Sequence, residues 1–506
     1  MAKKQEMDAE LANKVINLCQ RRGILVPSCE IYGSHAGFFD YGPLGAQLKR
    51  NLENNWWNRF VTSREDVVAM DGALVSPRPL WKASGHLDSF NDPLVECRKC
   101  GLRTRADHLA EDELKINVDG LSVKHLQDLI HEHKVKCPKC GGELSPIRTF
   151  SLMFKTHVGA TADEAAEVYL RPETAQLIFA NYKLVQFVSR KQLPFGIAQI
   201  GKAFRNEIAP RNFVFRCREF SQMEIEYFMH PGKLDDCPLL DAGLLDKKMV
   251  FFTQNQAKET KPEKMTLREA LDNKVVGTRW HAYWLAASHE WLVSLGLRAS
   301  KLRLRQHTKD ELSHYSSETW DVEYEYPWGW KELMGIANRT DFDLKQHAKA
   351  SGKDLSYHDQ ATNEKVVPFV IEPSLGVDRL LFTLLIDAYN EKGEGGEVKT
   401  ILSLSPTVAP VLASVFPLMK KDGLAEKARE VFNALKQEGF ACEYDESGSI
   451  GRRYARSDEA GTPACITVDY QTLEDNTVTL RDRDSGKQER IAARDLAAAL
   501  RKTQGF

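Results

Sequence analysis

A charged, glycine-rich run, Glu391-Lys392-Gly393-Glu394-Gly395-Gly396-Glu397, divides the chain unevenly and constrains its fold more than any other feature. Seven residues with almost no apolar surface add nothing to a core, and their glycines favour a linker. The run is therefore expected to join two separately packed units, residues 1–395 and 400–506. Size points the same way, because 506 residues exceed what one hydrophobic core usually serves. Hydrophobic residues at 42% and charged residues at 28% are the balance of a soluble globular chain. No apolar run reaches the roughly 18 residues of a bilayer span, and Met1 to Leu11 is polar, with no apolar signal core. A cytoplasmic location without membrane contact is expected. Lys plus Arg (69) nearly balance Asp plus Glu (71), so any contact with nucleic acid must use local patches.

In the larger part, Leu48, Leu52, Trp56 and Phe60 recur every four residues and mark one buried stripe of a helix from Ala46 to Val61. A strand from Val67 to Met70 and then Pro77 follow. The segment of about 90–155 is hydrophilic and reads as an insertion. A second insertion, of about 231–299, carries a polar stretch from Gln254 to Lys264 and a Trp-rich helix from Trp280 to Leu295. In the smaller part, alternating strands and helices imply an α/β domain. One of its helices presents Leu424, Ala428, Val431, Phe432 and Leu435 on a single face.

Ten cysteines without a secretion signal argue for thiols that are buried or bind metal. Cys97-x-x-Cys100 and Cys137-x-x-Cys140 form two pairs in the first insertion, the set for a closed, tetrahedral structural zinc ion. Phe204-Arg205-Asn206-Glu207, a loop, and Phe215-Arg216-Cys217-Arg218-Glu219-Phe220 read as two strands joined by an arginine-bearing loop. Guanidinium groups there could clamp a triphosphate bidentately, although an exposed hairpin with charged edges has the same composition.

These strings resemble the second signature motif of class II aminoacyl-tRNA synthetases. Gly376-Val377-Asp378-Arg379 resembles their third, and the helix, strand and Pro77 resemble their first, which forms the dimer interface in that class. Four further strings are similar to the homodimeric glycyl-tRNA synthetases: Arg171-Pro172-Glu173-Thr174-Ala175-Gln176, Arg218 to Glu226, Arg339-Thr340-Asp341-Phe342-Asp343-Leu344 and Val370 to Gly376. The resemblance implies an α+β chain: an antiparallel-sheet catalytic domain with an inserted zinc knuckle, then a C-terminal α/β anticodon-binding domain. Glycine, ATP with Mg2+, and tRNA(Gly) are the implied partners, with a homodimer as the assembly.

The resemblance also assigns roles. Arg205 and Arg379 are the implied catalytic cations, with Arg205 at the ATP α-phosphate and Arg216 and Arg379 at the far phosphates. Phe220 stacks on adenine and Glu207 faces it, while Asn206, Phe215, Glu332, Leu333 and Gly376 complete the ATP site. Glu332 is a candidate for holding Mg2+, which prefers carboxylate and phosphate oxygens. Glu173, Glu224 and Glu372, aimed at one ammonium with Ser374 and Phe220 beside them, would leave no room for a methyl group on the substrate. An arginine after the first cysteine pair touches substrate in the family; Arg105 matches best, with Arg103 the alternative. In the smaller unit, Ser449-Ile450-Gly451-Arg452-Arg453-Tyr454 is a basic, aromatic turn suited to RNA, or else a solvated helix start. The rival reading is a catalytically dead relative that serves as a nucleic-acid-binding subunit, which should have lost Arg205, Arg379 or the acidic trio.

Overall fold

A computed structural model describes residues 2–116, 118, 121–160, 166–210, 212–254, 261–360, 362–394 and 397–504. The larger unit is organised on a nine-stranded sheet. Across it, in order, run Glu263–Thr266, Lys248–Phe252, Leu302–Gln306, Glu318–Tyr326, Gly329–Thr340, Phe369–Gly376, Glu219–Met229, Phe195–Phe204 and Val67–Ala69. The long central strands pair antiparallel, and the short edge strand Val67–Ala69 runs parallel to its neighbour.

The period-four stripe packs as expected. A helix from Pro43 to Trp57, extended by a π turn over Asn58–Thr62, buries Leu48, Leu52, Trp56 and Phe60. Proline at its first position sets the helical φ where no amide bond is lost. The second insertion proves to be part of this body. Lys248–Phe252 and Glu263–Thr266 extend the main sheet, and the helix Arg279–Ser294 sinks Trp280, Trp284 and Trp291 into the same core. Tyr227 meets Trp280 and Trp284 there, with Met223 and Ile225 in the same core, so Gln222, Glu224 and Glu226 lie on the opposite face of the strand Glu219–Met229. Residues 255–260 of the polar stretch lie outside the described residues.

The first insertion is a small body with its own core. Asn91–Glu96 pairs with Arg103–Arg105 and Arg148–Ser151, and two helices close over Val95, Ala106, Leu109, Leu126 and Ile130.

The glycine-rich run is not a loose linker. Tyr389–Glu394 and Glu397–Leu402 pair antiparallel as a hairpin; Gly395 and Gly396 lie outside the described residues. Glycines suit a tight reversal between strands as well as they suit a flexible joint, and only two residues separate the paired strands here. The main core also continues past the hairpin through Leu402, Leu404, Val408 and Ala409, and a second core begins at Leu412. That second core lies under a five-stranded sheet in the order Cys442–Tyr444, Ala413–Pro417, Ala464–Val468, Thr477–Asp482, Gln488–Ala492. Its first three strands are parallel and the last two antiparallel. The helix Leu424–Gln437 lays Leu424, Ala428, Val431 and Leu435 on it.

Candidate active site

Three adjacent central strands bring the acidic residues together. Register places Glu224 beside Ser374, and the Ser374 hydroxyl donates to Glu224 Oε1 at 2.7 Å. Gln222 Nε2 donates to the same oxygen at 3.0 Å, while the backbone N–H and hydroxyl of Thr174 donate to Oε2. Thr174 is the N-cap residue of the helix Ala175–Ser189, so the helix start delivers both Thr174 and Glu173 to the floor. Glu173 Oε1 accepts from Gln176 Nε2 at 2.9 Å and faces His86 Nε2 at 3.5 Å.

Arg339 ties the floor together. The register of Gly329–Thr340 against Phe369–Gly376 slips between Asn338 and Thr340, which leaves Arg339 at a bulge and re-aims its side chain. Its Nη1 donates to both Glu372 oxygens, at 3.0 and 3.1 Å, and its Nε and Nη2 each bond Asp343 at 2.8 Å. The guanidinium lies 3.9 Å from the Tyr315 ring centroid. Burial raises Glu372 to about 8; Arg339 pulls against this, and the neighbouring Glu224 and Glu173 push with it. Burial also works against charge on Glu173, yet His86, Arg339 and Gln176 overcome it and hold that carboxyl well below the usual range. Glu224 is raised by burial and then by Glu173.

Beneath this floor lies a clamp. Arg171, 1% exposed, donates from Nε to the Lys202 carbonyl and from Nη1 to that of Gly72, both at 2.7 Å. Gly201 is required above it, because a Cβ there would lie 2.1 Å from Arg171 Nη2.

Cations gather at the other end of the cleft. Arg205 follows the strand Phe195–Phe204, its guanidinium 5.3 Å from the Phe220 ring centroid and 5.5 Å from that of Phe90, and its Nε donates to the Pro172 carbonyl. Arg379, in the first turn of the helix Val377–Ala388, lies 4.7 Å over Phe215. It bonds the Glu332 carbonyl at 3.0 Å and faces Glu332 Oε1 at 3.3 Å. Desolvation raises Glu332, but Arg379 and Arg205 outweigh it and hold the group low. Arg216 Nε is 3.9 Å from Glu207 Oε2, and the Glu207 carbonyl accepts two bonds from Arg218. The Asn206 N–H bonds the Leu152 carbonyl, and Gly376 precedes the Arg379 helix as its N-cap. Arginines thus gather at one end of a cleft whose other end is lined by carboxylates.

Residues 154–240 match the family model for the tRNA synthetase class II core domain (G, H, P, S and T), and residues 413–503 match that for the anticodon binding domain. A glycine–tRNA ligase of Caldanaerobacter subterraneus subsp. tengcongensis is 47% identical over 485 residues, covering 95% of each chain. The chain belongs to the glycine–tRNA ligase family. Glycine–tRNA ligases of Geobacillus thermodenitrificans and Clostridium perfringens are each 45% identical, covering 99% and 100% of this chain and all of their own.

Set on this ligase, the sequence-derived residues divide. Glu173, Glu224, Glu372 and Ser374 share the floor; Arg205, Phe220, Phe215, Arg379 and Glu332 share the opposite end. Leu333 is fully buried in the main core, so only its backbone can face the cleft. Arg105 is held by carboxylates of the first insertion. It pairs with Asp92 at 2.8 Å and Asp107, and with Arg216 it lines a cavity of about 120 Å³ on the motif-two side. Arg103 points outward to Glu96. Sequence reasoning gave no role to Arg339, Asp343, His86 or Phe90; the quoted string Arg339 to Leu344 held the one available signal, an arginine four residues before an acid.

The four cysteines of the ligase meet, with all sulfur atoms within 4.8 Å of one another, Cys97 and Cys140 at 3.5 Å and Cys100 and Cys137 at 3.7 Å. Four thiolates about 2.3 Å from one tetrahedral zinc would be spaced by about 3.8 Å, so the set fits. The Arg452–Tyr454 segment takes the helix-start alternative, though it is only partly solvated. It is the first turn of the helix Ile450–Ala460, in which Arg453 is 3% exposed and bonds the Pro417 and Leu418 carbonyls, while the Tyr454 hydroxyl bonds that of Thr467. Arg452 is exposed, Tyr454 half-buried and Arg453 buried.

Proposed function

We propose that this chain activates glycine with ATP and transfers the glycyl group to the 3′ end of tRNA(Gly). The observation that carries the reading is the floor of Glu173, Glu224 and Glu372 around Ser374, set one cleft away from Arg205 and Arg379. A glycine ammonium would sit among the three carboxylates, which leave no space at the α-carbon; overpacking a rigid site by one methyl costs about 1–3 kcal/mol. The glycine carboxylate oxygen attacks the α-phosphorus, the bond from that phosphorus to the α,β-bridging oxygen breaks, and pyrophosphate leaves. Arg205 stabilises the charge that builds on the α-phosphoryl group, and Arg216 and Arg379 hold the departing phosphates. A ribose hydroxyl of the tRNA 3′ end then attacks the glycyl carbonyl and expels AMP. Mg2+ fits beside Glu332, whose carboxylate is kept ionised by the arginines, and would neutralise phosphate charge. Because every residue of the machinery is present, nothing favours the catalytically dead alternative. ATP–pyrophosphate exchange with each of the twenty amino acids tests the reading; exchange with any amino acid other than glycine alone would defeat it.

Zinc held by Cys97, Cys100, Cys137 and Cys140 would fix the first insertion, and with four protein ligands it would have no open position for chemistry. Metal analysis should return one zinc per chain. A cytoplasmic homodimer is proposed, with its interface near the helix Pro43–Trp57 and the edge strand Val67–Ala69, whose free edge invites a covering partner; sedimentation should give twice the chain mass. No described helix is long and apolar enough to cross a membrane. The C-terminal unit is proposed to begin after Ala409, where the first core ends. A chain cut after residue 410 should keep glycine activation and lose tRNA charging, the loss deepening with salt as phosphate contacts release counterions.

A further inference from the structure

Glu226 is fully buried, and neither of its carboxyl oxygens has a hydrogen-bond partner. It lies two residues beyond Glu224 on the cleft-facing side of Glu219–Met229, and two before Phe228, which belongs to the apolar core under the helix Ala175–Ser189. The register brackets it: Glu224 faces Ser374 and Tyr227 faces Ile371, so Glu226 stands opposite Glu372. On its other side the strand partner is Ile197, which offers no donor. The charged groups around it are Glu372, Arg339, Glu224 and Asp343. Arg339 already spends its donors on Glu372 and Asp343.

A buried carboxylate with no donor and three acidic neighbours is far less stable than the neutral acid. Burial, and then the charge on Glu372, accordingly raise Glu226 well above the ordinary carboxylate range. A neutral carboxyl group has one proton to donate, and the acceptor opposite is the Glu372 carboxylate.

We propose that Glu226 is a positioning residue for the glycine site: as a neutral acid it donates its O–H to the Glu372 carboxylate, and so holds that group ionised and aimed at the substrate ammonium. This rests on the glycine reading above. No proton is transferred in the step; it stays on Glu226 while the Glu372 charge meets the ammonium. Glycine capture then requires the Glu372 carboxylate, so kcat/KM for glycine should rise with pH until Glu372 is ionised. Losing the donor favours the neutral form of Glu372, which moves that inflection to higher pH.

The test uses the full-length protein and pyrophosphate exchange. Glu226→Leu should raise KM for glycine about tenfold, the scale of a hydrogen bond to a charged group. It should move the inflection upward and leave KM for ATP within about twofold, a pattern that a loss of general packing would not produce. Glu226→Gln, which can still donate, should recover most of both effects. Wild-type KM and inflection in Glu226→Leu would overturn the proposal, as would Glu226→Gln moving the inflection downward, the sign of a removed negative charge. Infrared difference spectra of wild type minus Glu226→Gln at neutral pH should show the carbonyl band of a protonated carboxylic acid, and a carboxylate band in its place would also overturn it. The infrared result does not depend on activity, so failure of wild-type exchange with glycine would defeat the glycine reading while leaving the proton on Glu226 separately decided.

Discussion

At the acidic end of the cleft, Glu224, Glu372 and Asp343 are buried and partnered by donors of the fold, whereas at the other end the arginines rest largely on ring faces and main-chain carbonyls. Glu372 and Asp343 share Arg339, and Glu224 accepts from Gln222, Ser374 and Thr174. Arg205, by contrast, lies over Phe90 and Phe220 and bonds one carbonyl; Arg379 lies over Phe215 and also pairs with Glu332 at 3.3 Å. A ring face or a carbonyl orients a guanidinium without neutralising it, so the Arg205 charge stays available to an anion. On the proposed assignment of glycine to the acidic end and ATP to the arginines, the difference follows the ligands. A small substrate without a side chain can be selected only by walls that do not move, while a large polyanion supplies its own ordering force and needs cations that are oriented but unspent.

The comparison breaks most severely at Arg339. Arg339→Leu leaves Glu372 and Asp343 as unpaired buried charges, at a cost of about 3–5 kcal/mol, and thermal unfolding should show a large fall in Tm. A wild-type Tm would mean that the floor does not depend on its internal pairing. At the other end, Arg205→Ala should reduce pyrophosphate exchange about a hundredfold or more, near 3 kcal/mol, with Tm nearly unchanged. If stability fell as far as activity, the two ends would not differ in kind. Gly201→Ala presses a methyl group into Arg171 and should cost about 1–3 kcal/mol in urea unfolding; no loss would show that the clamp beneath the floor yields easily. The smallest effect is expected for Phe90→Leu. Removing one of the two rings around Arg205 forfeits about 0.5–1 kcal/mol, so KM for ATP should rise two- to fivefold while KM for glycine holds. The reverse pattern would assign Phe90 to the wrong end.

What could be read in advance differs between the same two ends. Arg205, Phe220 and Arg379 stand in short contiguous strings that resemble family motifs, and it was the resemblance, not their composition, that singled them out. The acidic floor was legible as a set, yet its organiser was not, because Arg339 acts through a bulge in the strand and through Glu372, 33 positions away. His86 and Phe90 reach the cleft from a different segment again, by tertiary packing that no local period records. The period-four stripe from Leu48 to Phe60 succeeded because burial of one helix face is a local property. Arg453 and Tyr454 misled for the opposite reason: a basic, aromatic turn has the composition of an RNA contact, but strand ends at Pro417 and Thr467 consume it. The glycine run at Gly393 misled because a hairpin turn and a flexible joint draw on the same residues.

That hairpin reaches across the boundary between the units. Lys392 Nζ bonds the Asp484 carbonyl at 2.8 Å, Ser403 Oγ bonds the Asp484 carboxylate at 2.7 Å, and Arg22 Nε holds Glu459 at 2.7 Å. The join therefore behaves as a strut and not as a tether, and the span from the cleft to the second unit is a built-in length. An engineer exchanging the C-terminal unit for that of a relative would have to transplant its footprint too, matching Asp484 and Glu459 to Lys392, Ser403 and Arg22. A chimera spliced at the glycines alone would keep both folds and lose the ruler between them.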